Sequence, residues 1–392
     1  MSAVPITMPP AGGAVAEETV LVSVVIPCLN EEDNIERCVQ LAFAVLSEHG
    51  IDGEVVVADN ASDDRSAELA AAAGARVVTE RRRGYGNAYM AGFAAARGTY
   101  VVMGDADLTY DFREIPRFVD QLEAGADLVM GDRMDNIRPG AMPWLHRYIG
   151  NPVLTGVLNL FFRTGVKDAH CGMRALRRDV LPRLDLRTTG MEFASEMVIR
   201  AAKERMDIRE LPIEYHPRGG ESKLSSFRDG WRHLRFLLVH SPLHLFLLPA
   251  LAMLLAGLLI TGTVVAQLDV FGRTWDLHAL IAGVLLMIVG VQVLSLGICA
   301  HAYGSYFMNE RDPWFDAMRT RFRLEHGLLA GGAILSTGLV AVLVVGVAWA
   351  RRGFGELAEQ QLAIVAAALI VIGVQVFFSS FLLSILGLRR RA

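Results

Sequence analysis

The chain has 392 residues, 53% of them hydrophobic, and a formal net charge of −4. Residues 1–240 carry −6 and residues 241–392 carry +2, the latter with 10 Arg and no Lys, so a charged front half precedes a back half that is mostly hydrocarbon. No domain is strongly basic, which excludes nucleic acid as a partner. Cys28, Cys38, Cys171 and Cys299 have neither CxxC pairing nor His at zinc spacing, as expected of reduced thiols in a cytoplasm-facing protein.

Residues 1–18, MSAVPITMPPAGGAVAEE, lack a basic n-region and a long apolar core, so a disordered tail is expected there, not a signal peptide. Residues 20–131 alternate short β-rich runs with helical stretches, the pattern of a parallel sheet with crossover helices. Strands are predicted at residues 20–26, 54–59, 75–79, 100–105 and 127–131, and helices at 31–49, 63–73, 87–97 and 113–124. Their near-continuous Val, Ile, Leu and Met suit strands covered on both faces. Ligands of such sheets sit beyond the carboxyl ends of the strands. Those ends carry Pro27–Asn30, Asp59–Asn60, Asp105 with Asp107, and Asp132–Arg133.

Residues 141–163, AMPWLHRYIGNPVLTGVLNLFFR, are too interrupted for a membrane span and too apolar for an ordinary surface helix. They read as a segment lying in the membrane interface, with Trp144 and Tyr148 at headgroup level. Residues 227–240 have an Arg/His face and a Trp/Leu/Phe face and are expected to lie on the same surface. Four apolar stretches follow, at about 243–266, 279–300, 328–350 and 362–388. Each reaches the roughly 20 residues that cross a bilayer. The loop 301–326 and the tail are rich in Arg, whereas the loops 267–278 and 351–361 are not, which puts the front domain and the C-terminus in the cytoplasm. The stretches contain no Asp, Glu, Lys or Arg, so they read as an anchor and not as a transport path. The expected organisation is a tail at 1–18, a catalytic domain at 19–226, an interfacial helix at 227–240 and a membrane domain at 241–392.

YVVMGDADLTYD, residues 100–111, runs an apolar strand into three carboxylates. Neighbouring anions repel and lose hydration, so a counter-charge is required. Asp105 and Asp107, two apart just past a strand, suit a hard cation, Mg²⁺ or Mn²⁺, completed by phosphate oxygens of a substrate. Asp111 reads as a helix cap, as do Asp63 and Asp64. Residues 24–35, VVIPCLNEEDNI, place Asn30 and Glu31 where a base or ribose would enter, and Asp59 and Asn60 repeat the theme one strand over. Residues 80–93 hold GxG but not GxGxxG, so the dinucleotide fingerprint fails. The glycines from Gly84 to the helix beginning near Asn87 are expected to let backbone amides approach a phosphate.

Together, VVIPCLNEEDNI, VVVADNASDD, RGYGNAYMAGF and GDADLTYDF resemble the successive signatures of family-2 glycosyltransferases with the GT-A fold. The later KDAHCGMRALRRDV and YHPRGGESKLSSFRDGW, followed by membrane spans, resemble polyprenyl-phosphate hexose synthases, the dolichyl-phosphate-mannose and dolichyl-phosphate-glucose synthase group. The resemblance covers roughly residues 20–240. It implies an α/β, Rossmann-like, mostly parallel sheet, a nucleotide-sugar donor, a divalent metal on Asp105 and Asp107, and inversion at the anomeric carbon. Carried over, Pro27, Asn30, Glu31 and Asp59 line the nucleoside pocket, and Asn60, Gly84, Asn87 and Asp105 complete the donor site. Two departures stand out. Cys28-Leu29 replaces the aromatic residue of many relatives, and His170-Cys171-Gly172-Met173-Arg174 stands where relatives have a Ser-Gly-Phe-Arg run.

A polyprenyl phosphate is already ionised near pH 7, its second pKa being ~6, so cations and in-line placement matter more than a base. Arg133, Arg174 and Lys223 are the expected acceptor-phosphate contacts, with Arg147, Arg163 and Arg218 behind them. Asp168 is expected to orient a substrate hydroxyl or complete the metal site, and His170 to pack behind it. UDP-glucose is favoured over GDP-mannose. The alternatives are another lipid or polysaccharide acceptor, against which stands the absence of a Gln-x-x-Arg-Trp motif, and a non-catalytic membrane scaffold. Oligomeric state is left open, a homo-oligomer included.

Overall fold

The computed structural model describes residues 20–219, 226–239, 241, 243–270, 272–307 and 324–388. The expected tail at 1–18 and Lys223 lie outside the described residues. The chain divides into two compact units, Met1–Leu237 and Leu238–Ala392.

The first unit is built on a seven-stranded sheet: β1 (Val22–Cys28), β2 (Gly53–Asp59), β3 (Arg76–Thr79), β4 (Tyr100–Met103), β5 (Leu128–Asp132), β6 (Arg174–Arg177) and β7 (Ile208–Pro212). The strand order is β3-β2-β1-β4-β6-β5-β7. Every pairing is parallel except those of β6, which runs antiparallel between β4 and β5. Alternate residues of one strand feed opposite faces. Val22, Val24 and Ile26 join α1 (Ile35–Glu48), α2 (Ser66–Ala72) and α4 (Ile115–Glu123) in one core. Val25, Val101, Met103 and Met130 join the other, with α3 (Tyr85–Ala95), α5 (Asn151–Phe162), α7 (Phe193–Lys203) and the end of α8 (Ser226–Val239) contributing Tyr89, Leu158, Phe193 and Leu237. A short α6 (Leu181–Leu184) leads into α7.

Two placements matter for the site. Because β6 is antiparallel, Arg174 at its start pairs with Met103 and Met130, so residues 168–173 arrive at the carboxyl edge where β4 and β5 end. After β7 the chain doubles back over that same edge. His216 N donates to Thr109 O at 3.0 Å and Gly219 N to Asp107 O at 3.0 Å, while Asn34 Nδ2 donates to Gly219 O at 2.6 Å.

Residues 144–162 are helical, opening with a π-turn, His146–Gly150, that runs into α5. Leu154, Val157, Leu158, Phe161 and Phe162 pack on the core. Trp144, Leu145, Tyr148, Ile149, Val153 and Leu160 are exposed, Trp144 at 65% and Leu160 at 66%. The segment is therefore apolar on both sides and buried on one.

The second unit holds α9 (Leu248–Val265), a small hairpin of β8 (Asp269–Val270) and β9 (Arg273–Thr274), α10 (Leu277–Phe307), α11 (Leu324–Arg351) and α12 (Gln360–Leu388). Four stretches, Leu245–Val265, Leu277–Tyr303, Leu324–Arg351 and Gln360–Leu386, are long and apolar enough to cross a membrane.

Candidate active site

At the carboxyl edge the ends of β1 and β2 are knitted together. Asn30, forced to φ +53°, donates its N–H to Ser62 Oγ at 3.0 Å and accepts from Asp63 N at 2.8 Å. Glu31 N donates to Ser66 Oγ at 2.8 Å. Pro27 and Cys28 sit in register with Ala58 and Asp59. Asp59 is buried and accepts from Ser62 N at 3.4 Å. Pro27, Asn30, Glu31 and Asp59 thus share one corner.

Beyond β4, Asp107 forms a tight turn of its own. Its Oδ1 accepts from Thr109 N at 3.1 Å and Thr109 Oγ1 at 2.6 Å, while Leu108 takes φ +60°. Asp111 caps the following turn through Arg113 N at 3.0 Å. Asp105 is half-buried, and its Oδ1 accepts from Tyr85 Oη at 3.1 Å and Tyr89 Oη at 3.3 Å. Burial pushes the Asp105 carboxyl up to about 7, and the Asp107 charge adds to the rise against the two tyrosine hydroxyls.

The counter-charge that the sequence demanded is Arg218, delivered by the strand-end strap. Its Nη2 donates to Glu31 Oε1 at 2.8 Å and its Nη1 lies 3.5 Å from Asp107 Oδ2. Its Nε is buried with no partner among the described residues. Two carboxylates, Glu31 and Asp107, therefore flank one guanidinium, with Asp105 two residues before Asp107. A divalent cation would close that charge balance, and the donor set fits one. Asp105 Oδ2 accepts no hydrogen bond among the described residues. A Cβ at residue 172 would stand 2.7 Å from that oxygen, so glycine leaves its approach clear. No group of three His, Cys, Asp or Glu side chains converges among the described residues. Such sparse protein ligation suits Mg²⁺ or Mn²⁺, which take one or two carboxylates and complete their shell with substrate phosphates.

Several expected site residues have other work. Arg133 and Asp168 pair with each other: Nε to Oδ2 at 2.7 Å, Nη2 to Oδ1 at 2.9 Å, and the Arg133 N–H to Oδ2 at 3.2 Å. Both are buried, and Arg133 also donates to Tyr110 Oη at 3.3 Å and lies 5.0 Å from the centre of the Tyr215 ring. Burial alone would raise the Asp168 carboxyl, but the Arg133 charge overturns that and holds it below the usual range. Each charge is thus met by the other. Arg174 is fully buried and donates to the carbonyls of Cys171, Ala194 and Ala169 at 2.7–2.8 Å.

The glycine-rich turn is likewise used otherwise. Gly86 N and Asn87 N donate to Thr189 O at 3.0 and 3.4 Å, so the start of α3 meets protein and not an open phosphate site. Gly84 has φ +145°, and a Cβ there would sit 2.2 Å from Thr189 O. Asn60 and Asn87 hold this loop. Asn60 Nδ2 donates to the carbonyls of Glu80 and Arg82, its Oδ1 accepts from Gly84 N at 2.6 Å, and Asn87 Nδ2 donates to those of Arg82 and Arg83. His170 packs as expected, with Nε2 3.4 Å from Ser195 Oγ, which is itself 3.2 Å from His233 Nδ1 on α8. Burial, reinforced by His233, holds the His170 ring down at about 3. Tyr85 and Tyr89 were not singled out from sequence. Their i, i+4 spacing in a helix beginning at the glycine turn was the available signal.

An open, mostly parallel sheet with its acidic pair at the carboxyl edge defines a domain of the GT-A type. Residues 23–184 match the family described as glycosyl transferase family 2, and residues 298–387 match the glycosyltransferase family 2 C-terminal transmembrane region. The chain is 42% identical over 367 residues to the low-salt glycan biosynthesis hexosyltransferase Agl6 of Haloferax volcanii, covering 93% of this chain and 89% of that protein. It is 32% identical over 335 residues to the undecaprenyl-phosphate 4-deoxy-4-formamido-L-arabinose transferase of Pseudomonas paraeruginosa, covering 81% and 94%. Glucosyl-3-phosphoglycerate synthase from Mycobacterium tuberculosis, solved with Mn²⁺, UDP and glucosyl-3-phosphoglycerate, aligns over 59% of this chain and 84% of that one, at 24% identity and a TM-score of 0.45. The chain belongs to glycosyltransferase family 2. With its four candidate spans and the family's transmembrane region, it is a multi-pass membrane glycosyltransferase.

Proposed function

We propose that this enzyme moves a hexose from a nucleotide sugar to polyprenyl phosphate, with inversion, at the cytoplasmic face of the membrane. The observation that carries the reading is the acidic edge, where Glu31 and Asp107 flank Arg218 and Asp105, two residues before Asp107, accepts nothing at Oδ2 among the described residues. The names of relatives that act on undecaprenyl phosphate and on dolichyl phosphate point to the lipid acceptor.

In this reading Pro27, Asn30, Glu31 and Asp59 receive the nucleoside, while Asn60 and Asn87 act indirectly by holding the loop at 80–84. Asp105 and Asp107 would hold Mg²⁺ or Mn²⁺, which when bound supplies charge to the departing nucleoside diphosphate. Arg218 exchanges its carboxylate partners for the diphosphate, as a planar guanidinium is suited to do. Lys223, five residues further on, serves the acceptor phosphate, with Arg147 beside the exposed apolar segment. The acceptor oxygen is already ionised near pH 7, so the chain needs only to place it in line.

A prenyl tail leaves the bilayer at ~0.8 kcal/mol per CH₂, so the acceptor must be met at the membrane surface. The exposed face of Trp144, Tyr148, Val153 and Leu160 is suited to that contact. UDP-glucose is the favoured donor and GDP-mannose the next. Membranes containing the enzyme, given each labelled nucleotide sugar with Mn²⁺ and a short polyprenyl phosphate, should yield a lipid-extractable sugar phosphate with one of them. No product from any pair would overturn the reading.

A further inference from the structure

We propose that Tyr85 and Tyr89 are positioning residues that commit one oxygen of Asp105 and leave the other as a single, monodentate ligand, selecting small octahedral cations over Ca²⁺. The inference rests on Asp105 being a metal ligand. The two hydroxyls come from positions i and i+4 of α3, one turn apart on one face. Both reach the same oxygen, Oδ1, Tyr85 at 3.1 Å and Tyr89 at 3.3 Å, the latter sharing its one proton with Gly104 O at 3.4 Å. A carboxylate oxygen offers two lone-pair sites, and the two hydroxyls stand at those of Oδ1.

The hydroxyls are held by their rings. The Tyr85 and Tyr89 rings meet edge to face at 4.9 Å, and Tyr89 stacks on Phe193 at 5.8 Å with planes 2° apart. On the opposite side Gly172 donates its N–H to Tyr110 Oη at 2.7 Å, and a Cβ there would collide with Asp105 Oδ2 at 2.7 Å. One oxygen is thus engaged by the hydroxyls and the other kept clear.

The chemical consequence is selectivity. Mg²⁺ and Mn²⁺ accept single carboxylate oxygens in octahedral shells, whereas Ca²⁺ takes more oxygens and commonly binds a carboxylate through both. Filling Oδ1 denies Ca²⁺ that second contact. Phenylalanine at both positions keeps the ring packing and frees Oδ1.

The test titrates the purified full chain with Mn²⁺, read by electron paramagnetic resonance, with Ca²⁺ as competitor and UDP or GDP present, whichever the wild type takes up. The variant Tyr85→Phe/Tyr89→Phe should lose about tenfold in its preference for Mn²⁺ over Ca²⁺ while melting as a folded protein. A fall of less than threefold overturns the inference. If the double variant does not fold, Tyr85→Phe alone is read the same way, with about threefold expected and no change overturning the inference. Equal Mn²⁺ binding by wild type and Asp105→Asn would instead refute Asp105 as a ligand, a failure distinct from that of the tyrosines.

Discussion

Asp168→Asn separates scaffold from catalysis at the residue pair whose role changed most between sequence and structure. The substitution keeps the shape of the side chain and removes its charge, leaving the Arg133 guanidinium buried with only Tyr110 Oη at 3.3 Å and the Tyr215 ring beside it. Two bonds between opposite charges, at 2.7 and 2.9 Å, become at best one from the guanidinium to a neutral amide oxygen. Breaking a buried ion pair from one side costs about 3–5 kcal/mol, and the remaining Asn oxygen places this case near ~3 kcal/mol. At roughly 2–4 °C per kcal/mol for a domain of this size, the melting midpoint should fall by about 6–12 °C. Thermal unfolding of the detergent-purified chain, followed by tryptophan fluorescence, measures this. Transfer assayed well below the lowered midpoint should stay within about tenfold of wild type. The double variant Arg133→Met/Asp168→Leu should recover most of the lost stability, because an apolar pair of similar volume removes both desolvation costs. An Asp168→Asn variant that melts like wild type but loses more than about a hundredfold in rate would refute the reasoning and return the pair to the chemistry.

Three further outcomes are expected. Gly86→Ala should destabilise by about 1–3 kcal/mol, because its Cβ would lie 2.1 Å from Thr188 O; a gain, as helix propensity alone would give, would contradict the close approach. Arg218→Gln should raise the donor KM roughly tenfold or more, the worth of a charge-assisted hydrogen bond, and a KM unchanged in steady-state assays would remove Arg218 from the donor site. His170 is held down at about 3 by burial and then by His233, so below the ordinary value of 6.5 the unfolded chain binds a proton that the folded chain refuses. Stability therefore falls as pH drops from about 6.5 toward 3, by at most about 2 kcal/mol at pH 5, and less for a half-buried ring. Melting curves at pH 7.5 and 5 should show a smaller drop for His170→Gln; an identical drop would clear His170.

Five strands and the first four helices were legible because long apolar runs between polar turns leave little choice of period. β6 was not. Arg-Ala-Leu-Arg is four residues long, carries two charges, and is held in the sheet by partners 44 to 77 positions away. The acidic edge was legible because carboxylates at strand ends have few structural uses. The arginines were harder, since sequence does not say which guanidinium is free. Arg174 is anchored by three carbonyls and Arg133 by a carboxylate 35 positions along the chain, pairings that only the antiparallel strand creates. Arg218 was ranked behind both and yet lies against Glu31 and near Asp107. The GxG turn carries glycine for the approach of residues 188–189, a constraint that reads in sequence like a phosphate loop.

If a lipid phosphate is the nucleophile, the phosphate of the acceptor is indispensable. Wild-type enzyme should be given the active labelled nucleotide sugar with either a polyprenyl phosphate or the same polyprenol without its phosphate, and the organic phase counted. Label should enter lipid only with the phosphorylated acceptor, and be lost in Asp105→Asn. Equal transfer to the unphosphorylated alcohol, or undiminished transfer by Asp105→Asn, would contradict it.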